Sequence, residues 1–104
     1  MTKQRTDLIV IASAKARPGR EADLERALRE VGGPTRQQPG CVEFALHRRQ
    51  DDRTTLIGFE RWASAEAHGR HLQGAHVARL LGQMADLLAE PPVITTYEVV
   101  DETN

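Results

Sequence analysis

Cys41-Val42-Glu43-Phe44-Ala45-Leu46-His47-Arg48-Arg49, then Gln50-Asp51-Asp52-Arg53, then Thr54-Thr55-Leu56-Ile57-Gly58-Phe59-Glu60-Arg61-Trp62 is the stretch that decides the fold. Two runs rich in branched and aromatic residues flank a polar segment whose adjacent Asp51 and Asp52 suit a turn, so residues 41–62 read as a β-hairpin. In the first run Val42, Phe44 and Leu46 alternate onto one face. In the second, Leu56, Gly58, Glu60 and Trp62 share one face, and Ile57, Phe59 and Arg61 share the other.

Towards the N-terminus, Gln37-Gln38-Pro39-Gly40 forms the turn that opens the hairpin. Before it, Leu24, Ala27, Leu28 and Val31 form an i, i+3, i+4, i+7 stripe, which predicts an amphipathic helix over 21–31. Glu21 and Asp23 in its first turn suit the macrodipole, and Gly32-Gly33-Pro34 is expected to stop it. Leu8-Ile9-Val10-Ile11-Ala12 begins a first strand, which Pro18-Gly19 ends. Towards the C-terminus, Ser64 is a candidate N-cap for a helix over 65–73. Gly74 interrupts it, and Val77, Leu80, Leu81, Met84, Leu87 and Leu88 predict a further helical stretch over 75–89. Pro91-Pro92 ends that stretch, and Val93 to Val100 reads as the last strand.

The order is β-α-β-β-α-β, the ferredoxin-like α+β plan: a four-stranded antiparallel sheet with helices on one side. Residues 8–100 form a single domain, between a flexible segment over 1–7 and a tail over 101–104. The strands carry apolar residues on both faces, as Ile9 and Ile11 against Val10 illustrate. Helices cover only one face, so the other would leave a large apolar patch in water. A second copy packed sheet against sheet removes that patch, and a homodimer is expected.

Composition narrows the function. The chain has 104 residues, with fourteen Lys and Arg against fifteen Asp and Glu for a formal net charge of −1. No basic excess marks a nucleic-acid partner. The aromatics Phe44, Phe59, Trp62 and Tyr97 are too few for a base-stacking platform. One cysteine, Cys41, makes neither an internal disulfide nor a cysteine zinc cluster, and no base neighbours it in sequence to make it a nucleophile. No apolar run is long enough to span a bilayer, and Met1 to Arg5 is not followed by a signal-peptide core, so a cytoplasmic location is expected. Phosphate loops, nucleophile elbows and dinucleotide fingerprints are absent.

Several motifs occur in a telling order: Lys15-Ala16-Arg17-Pro18-Gly19-Arg20, Gln38-Pro39-Gly40-Cys41-Val42, Phe59-Glu60-Arg61-Trp62-Ala63-Ser64, and His71-Leu72-Gln73-Gly74-Ala75-His76. The set resembles the antibiotic biosynthesis monooxygenase domain family over residues 8–100. That resemblance implies a dimeric α+β barrel with a pocket between helices and sheet in each subunit. Its members include cofactor-free oxygenases of anthrones and quinols, haem-degrading enzymes, an isomerase-like enzyme and proteins of unknown role. Haem-degrading members carry an axial His near position 81, an Asn near 12 and a second Trp near 71. Leu81, Ala12 and His71 stand there instead, which argues against haem.

Chemistry therefore rests on a few side chains. His71 matches the family's helical histidine and is the candidate base for a phenolic proton, since an imidazole titrates near working pH. His68, one turn earlier, and His76 are candidate pocket residues, although a solvent position for the first and a helix-start role for the second are the plainer readings. Trp62, Phe44 and Tyr97 are candidate walls for an aromatic ligand. Glu60 shares the strand face of Trp62 and would need a partner if buried, with His71 and Tyr97 as candidates. A carboxylate bonded to His71 would raise its basicity. No catalytic metal is expected from this His spacing, and no cofactor beyond dioxygen as co-substrate. The expectation is a cofactor-independent monooxygenase of an electron-rich hydroquinone-like or anthrone-like aromatic. The alternatives are a non-enzymatic dimeric ligand-binding or stress-associated module using the same pocket, or an isomerase or lyase using the same base.

Overall fold

A computed structural model describes residues 7–102. The expected flexible N-terminal segment lies, apart from Asp7, outside the described residues, as do the last two residues of the tail. Seven elements follow in order: β1 (Leu8–Lys15), α1 (Glu21–Arg36), β2 (Cys41–Arg48), β3 (Thr55–Trp62), α2 (Ala65–Leu72), α3 (Ala75–Leu87) and β4 (Val93–Glu98). The strands form one antiparallel sheet in the order β2-β3-β1-β4, the ferredoxin-like arrangement. Gly74 divides the second helical region into α2 and α3. Among the described residues no helix is long and apolar enough to cross a membrane.

The hairpin closes through Asp52. Its carboxylate accepts from the Thr54 amide at 3.1 Å and from the Thr54 and Thr55 hydroxyls at 2.6 and 2.8 Å. Those hydroxyl bonds hold its carboxyl down to about 2. Opposite residues then include Leu46 with Gly58 and Phe44 with Glu60. Val42 departs from its expected place beside Phe44 and Leu46. The β2–β3 register shifts between Cys41 and Glu43, the local twist of a bulge takes Val42 out of the ladder, and it is 53% exposed.

Helix α1 does not stop at Gly32-Gly33-Pro34 but runs through to Arg36. The buried stripe explains the extension. Thr35, fully buried, continues the line Leu24, Ala27, Val31 by one further turn, so ending the helix earlier would forfeit its packing. Pro34 gives up one helical hydrogen bond but keeps its ring in solvent. Gly32 leaves room for the Arg36 guanidinium, which a Cβ there would meet at 2.8 Å.

Two clusters make up the core between sheet and helices. Ala14, Ala16, Leu24, Ala27, Leu56, Leu87 and Leu88 form the larger one. Val10, Trp62 and Ala67 form the smaller. The turn before β2 is fitted closely against this second cluster. Gly40 has φ +87°, its carbonyl accepts from the Ala63 amide at 2.8 Å, and a Cβ on it would stand 2.5 Å from the Ala67 Cβ. On the other face of the sheet Ile9, Ile11, Ile57 and Phe59 lie together, with Ile11 directly opposite Phe59. Arg61 closes one end of that face by ion pairs to Asp7 at 2.6 Å and Glu102 at 2.7 Å, tying down both ends of the described chain.

Two glycines should respond in opposite directions. Gly40→Ala should cost at least about 1–2 kcal/mol, from its left-handed backbone and the collision with Ala67. Gly82→Ala lies on the exposed side of α3 with no neighbouring element within 4 Å and should gain about 0.5–1 kcal/mol. Urea unfolding midpoints of the two variants test this, and an unchanged Gly40→Ala midpoint would remove the proposed constraint.

Candidate active site

Between the sheet and the helices lies a cavity of about 150 Å³. Its lining is mostly apolar, supplied by residues such as Val10, Val31, Leu46, Val77, Leu80 and Met84, and polarity is concentrated in Glu60, His68 and His71. The strand period explains the carboxyl. Glu60 must share the inward face with Leu56, Gly58 and Trp62, and Gly58 beside it leaves the space that a side chain would fill. The helix period explains the imidazoles, since His68 and His71 stand one turn apart on the buried face of α2.

Trp62 is completely buried and its indole N–H donates to Glu60 Oε1 at 2.8 Å. His71 packs its ring on the indole, with centroids 4.7 Å apart and planes tilted by 34°. His71 Nε2 stands 3.8 Å from the same Glu60 oxygen, too far for a hydrogen bond. On the other side of the ring, Nδ1 meets the Gln38 carboxamide oxygen at 2.7 Å. His68 and His76 flank the ring at centroid distances of 6.1 and 5.7 Å. His76 Nε2 is buried without a hydrogen-bond partner, and its ring folds back over Gly74, where a Cβ would meet it at 2.9 Å.

Burial governs the charge state of these groups. It raises the Glu60 carboxyl above its ordinary range, only partly offset by the Trp62 bond. It lowers His68, and it holds His71 down to about 4, with His76 and His68 adding to the fall. Glu60 therefore does not raise the basicity of His71 as a bonded carboxylate would. Desolvation wins over a contact of 3.8 Å.

The structure brings His71, His68, Glu60 and Phe44 to the cavity wall. Trp62 stands behind Glu60 and His71 rather than on the lining, and His76 stands behind His71. Tyr97 is not brought there. It pairs with Ile9, whose side chain is on the opposite sheet face, so it is neither a wall of this cavity nor the partner of Glu60, and it is 46% exposed. Cys41 is a free thiol that burial, and then the Glu60 charge, push away from the thiolate form. Among the described residues no three His, Cys, Asp or Glu side chains are grouped to hold a metal ion. Gln38 is the site residue that sequence reasoning passed over, because its Pro39-Gly40 neighbours read as a turn and nothing local points the carboxamide at a histidine 33 residues away.

Fold and site together define a small ferredoxin-like α+β domain with a partly open apolar pocket carrying a histidine and a buried carboxyl at its polar end. Residues 7–82 match the family described as antibiotic biosynthesis monooxygenase, and the chain belongs to that family. Among solved structures it is similar to Rv0793 from Mycobacterium tuberculosis, with 29% identity, a TM-score of 0.90, and coverage of 95% of this chain and 100% of the other. It is also similar to PA3566 from Pseudomonas aeruginosa, with 29% identity, a TM-score of 0.88, and coverage of 96% and 100%. The uncharacterized protein sll1783 of Synechocystis is 22% identical over 94 residues, which is 90% of this chain. The chain spans 64% of the length of that curated relative.

The buried neutral imidazole has a consequence for stability. The unfolded chain takes up a proton at this residue near the ordinary 6.5, the folded one only near about 4. Its contribution is therefore full above 6.5 and is lost as pH falls through that window, by on the order of 3 kcal/mol in all. Urea unfolding from about pH 7 to pH 4 should show this loss in the native protein and not in His71→Leu. The Glu60 carboxyl contributes with opposite sign but is common to both proteins. Equal pH slopes would mean that His71 binds its proton as readily in the folded state as in the unfolded one.

Proposed function

We propose that this protein is a cofactor-independent monooxygenase of a hydroxylated aromatic, such as a hydroquinone, and that His71 accepts the phenolic proton. The observation that carries the reading is the imidazole itself, buried, neutral and facing an apolar cavity. Family membership supports the reaction class. A cavity of about 150 Å³ is on the scale that encloses a single benzene ring. Leu72, Leu81 and Ile94 also line it and are 50%, 55% and 54% exposed, which offers an apolar lip to a second fused ring.

A hydroxyl placed against His71 loses its proton as negative charge develops on the ring. The low pKa of this buried imidazole weakens it as a base, but it also keeps the ring unprotonated at neutral pH. Phenolate and imidazolium then form as a pair in a medium where their attraction is strong. The electron-rich anion passes one electron to dioxygen, and superoxide and ring radical recombine to a hydroperoxide. For 1,4-dihydroxynaphthalene, loss of water from that adduct gives the hydroxynaphthoquinone, so one O2 is consumed and one water released per ring. The protein supplies deprotonation, water exclusion and orientation.

The same reading makes the protein a homodimer through the open sheet face, with Ile9, Ile11, Ile57 and Phe59 at its centre. Light scattering coupled to size exclusion should report twice the chain mass, and Phe59→Arg should halve it. A monomeric native protein would overturn this part.

Oxygen uptake with one-ring and two-ring hydroquinones, after subtraction of autoxidation, tests the reaction. His71→Ala should lower the enzymatic rate by about 10²-fold or more. Uptake unchanged in the variant would remove His71 as base, and no uptake above background would favour a binding module or a redox-neutral enzyme.

A further inference from the structure

We infer that Gln38 is a specificity-determining positioning residue: it holds His71 with its proton on Nδ1, so that Nε2 offers a lone pair to the cavity and the site selects a hydroxyl donor over a carbonyl acceptor. In redox language this is selection of a hydroquinone over its quinone, and it rests on the reading that the cavity is the substrate pocket. The observations are geometric. The Gln38 side chain reaches His71 Nδ1 with its oxygen at 2.7 Å. Its backbone is pinned on both sides, with its amide donating to the Thr35 carbonyl at 3.0 Å and its carbonyl accepting from the Cys41 amide at 3.1 Å. The turn that follows is locked by the Gly40 carbonyl on the Ala63 amide and by the fit of Gly40 against Ala67. The carboxamide is thus delivered from a rigid support, as an orienting group must be.

The reverse arrangement is disfavoured by hydrogen-bond accounting. Were the amide nitrogen to donate to Nδ1, the ring proton would sit on Nε2. The nearest carboxyl oxygen on that side, Glu60 Oε1, is 3.8 Å away and already takes the Trp62 indole proton. A buried N–H would be left without an acceptor, which is rarer and costlier than an acceptor left without a donor. With the proton on Nδ1, the buried lone pair on Nε2 is satisfied only when a ligand in the cavity brings an O–H to it. A quinone carbonyl presents a second acceptor to an acceptor and gains nothing.

The experiment needs no turnover, so its failure is separate from failure of the oxygenase reading. Long-range proton–nitrogen NMR at neutral pH on the native protein reads the tautomer of His71 directly, and should show a protonated Nδ1 with an unprotonated Nε2. Fluorescence titration with 1-naphthol and with its methyl ether, which fills the cavity alike but donates no proton, should favour the naphthol by about three- to tenfold. Gln38→Leu should shift the tautomer towards protonated Nε2 and erase that preference. Gln38→Glu keeps an acceptor at Nδ1 and should retain both, while moving the His71 titration upward because a carboxylate now faces it. A merely structural Gln38 would leave the tautomer untouched in Gln38→Leu. A protonated Nε2 in the native protein, or equal affinity for naphthol and ether with the tautomer as assigned, would overturn the inference.

Discussion

A fully buried indole N–H needs an acceptor, and the way this chain supplies one organises its interior. Trp62 anchors the smaller core cluster, and the acceptor is Glu60, two residues earlier on the same strand face. That choice brings a carboxyl into an otherwise apolar layer. Desolvation then raises the carboxyl and lowers the adjacent imidazole, and the polar end of the cavity follows. A tryptophan needed for packing and a polar pair available for chemistry thus come from one hydrogen bond. Gly58 completes the arrangement, because a side chain there would close the cavity on the strand that carries Glu60.

The two faces of the sheet divide the work. The inner face holds the core, the cavity and the histidines. The outer face holds Ile9, Ile11, Ile57 and Phe59, bounded at one end by the Arg61 ion pairs with Asp7 and Glu102. In the proposed homodimer this face would supply an apolar centre with a charged rim. Period-two alternation forces the division, since residues in one strand cannot serve both layers at once.

Several readings of the residues succeeded because their causes are local. Hairpin, alternating faces, the Ser64 cap and the break at Gly74 each depend on a few neighbours, and the Ser64 hydroxyl does accept from the Ala67 amide at 3.1 Å. The end of α1 was not legible, because local signals at Gly32-Gly33-Pro34 oppose the helix and the burial that rescues it at Thr35 comes from elsewhere in the fold. Val42 leaves the face its run predicts for the same reason: a bulge in the pairing with β3 turns it to solvent although that run is regular. Tyr97 stands opposite Ile9 because of a register between β1 and β4 that no neighbouring residue announces.

By itself the sequence determined the element order, the two-sided apolar strands and the family resemblance, since these rest on periodicity, turn residues and ordered motifs within short spans. Only the tertiary structure decided which of the polar groups meet. Glu60 faces Trp62 and His71, and Gln38 is aimed at His71 across 33 residues. Such pairings depend on strand register and on the docking of a turn against a helix, and burial acts on them only once they are formed. The charge states that give the site its chemistry are therefore properties of the packed interior and not of the residues that compose it.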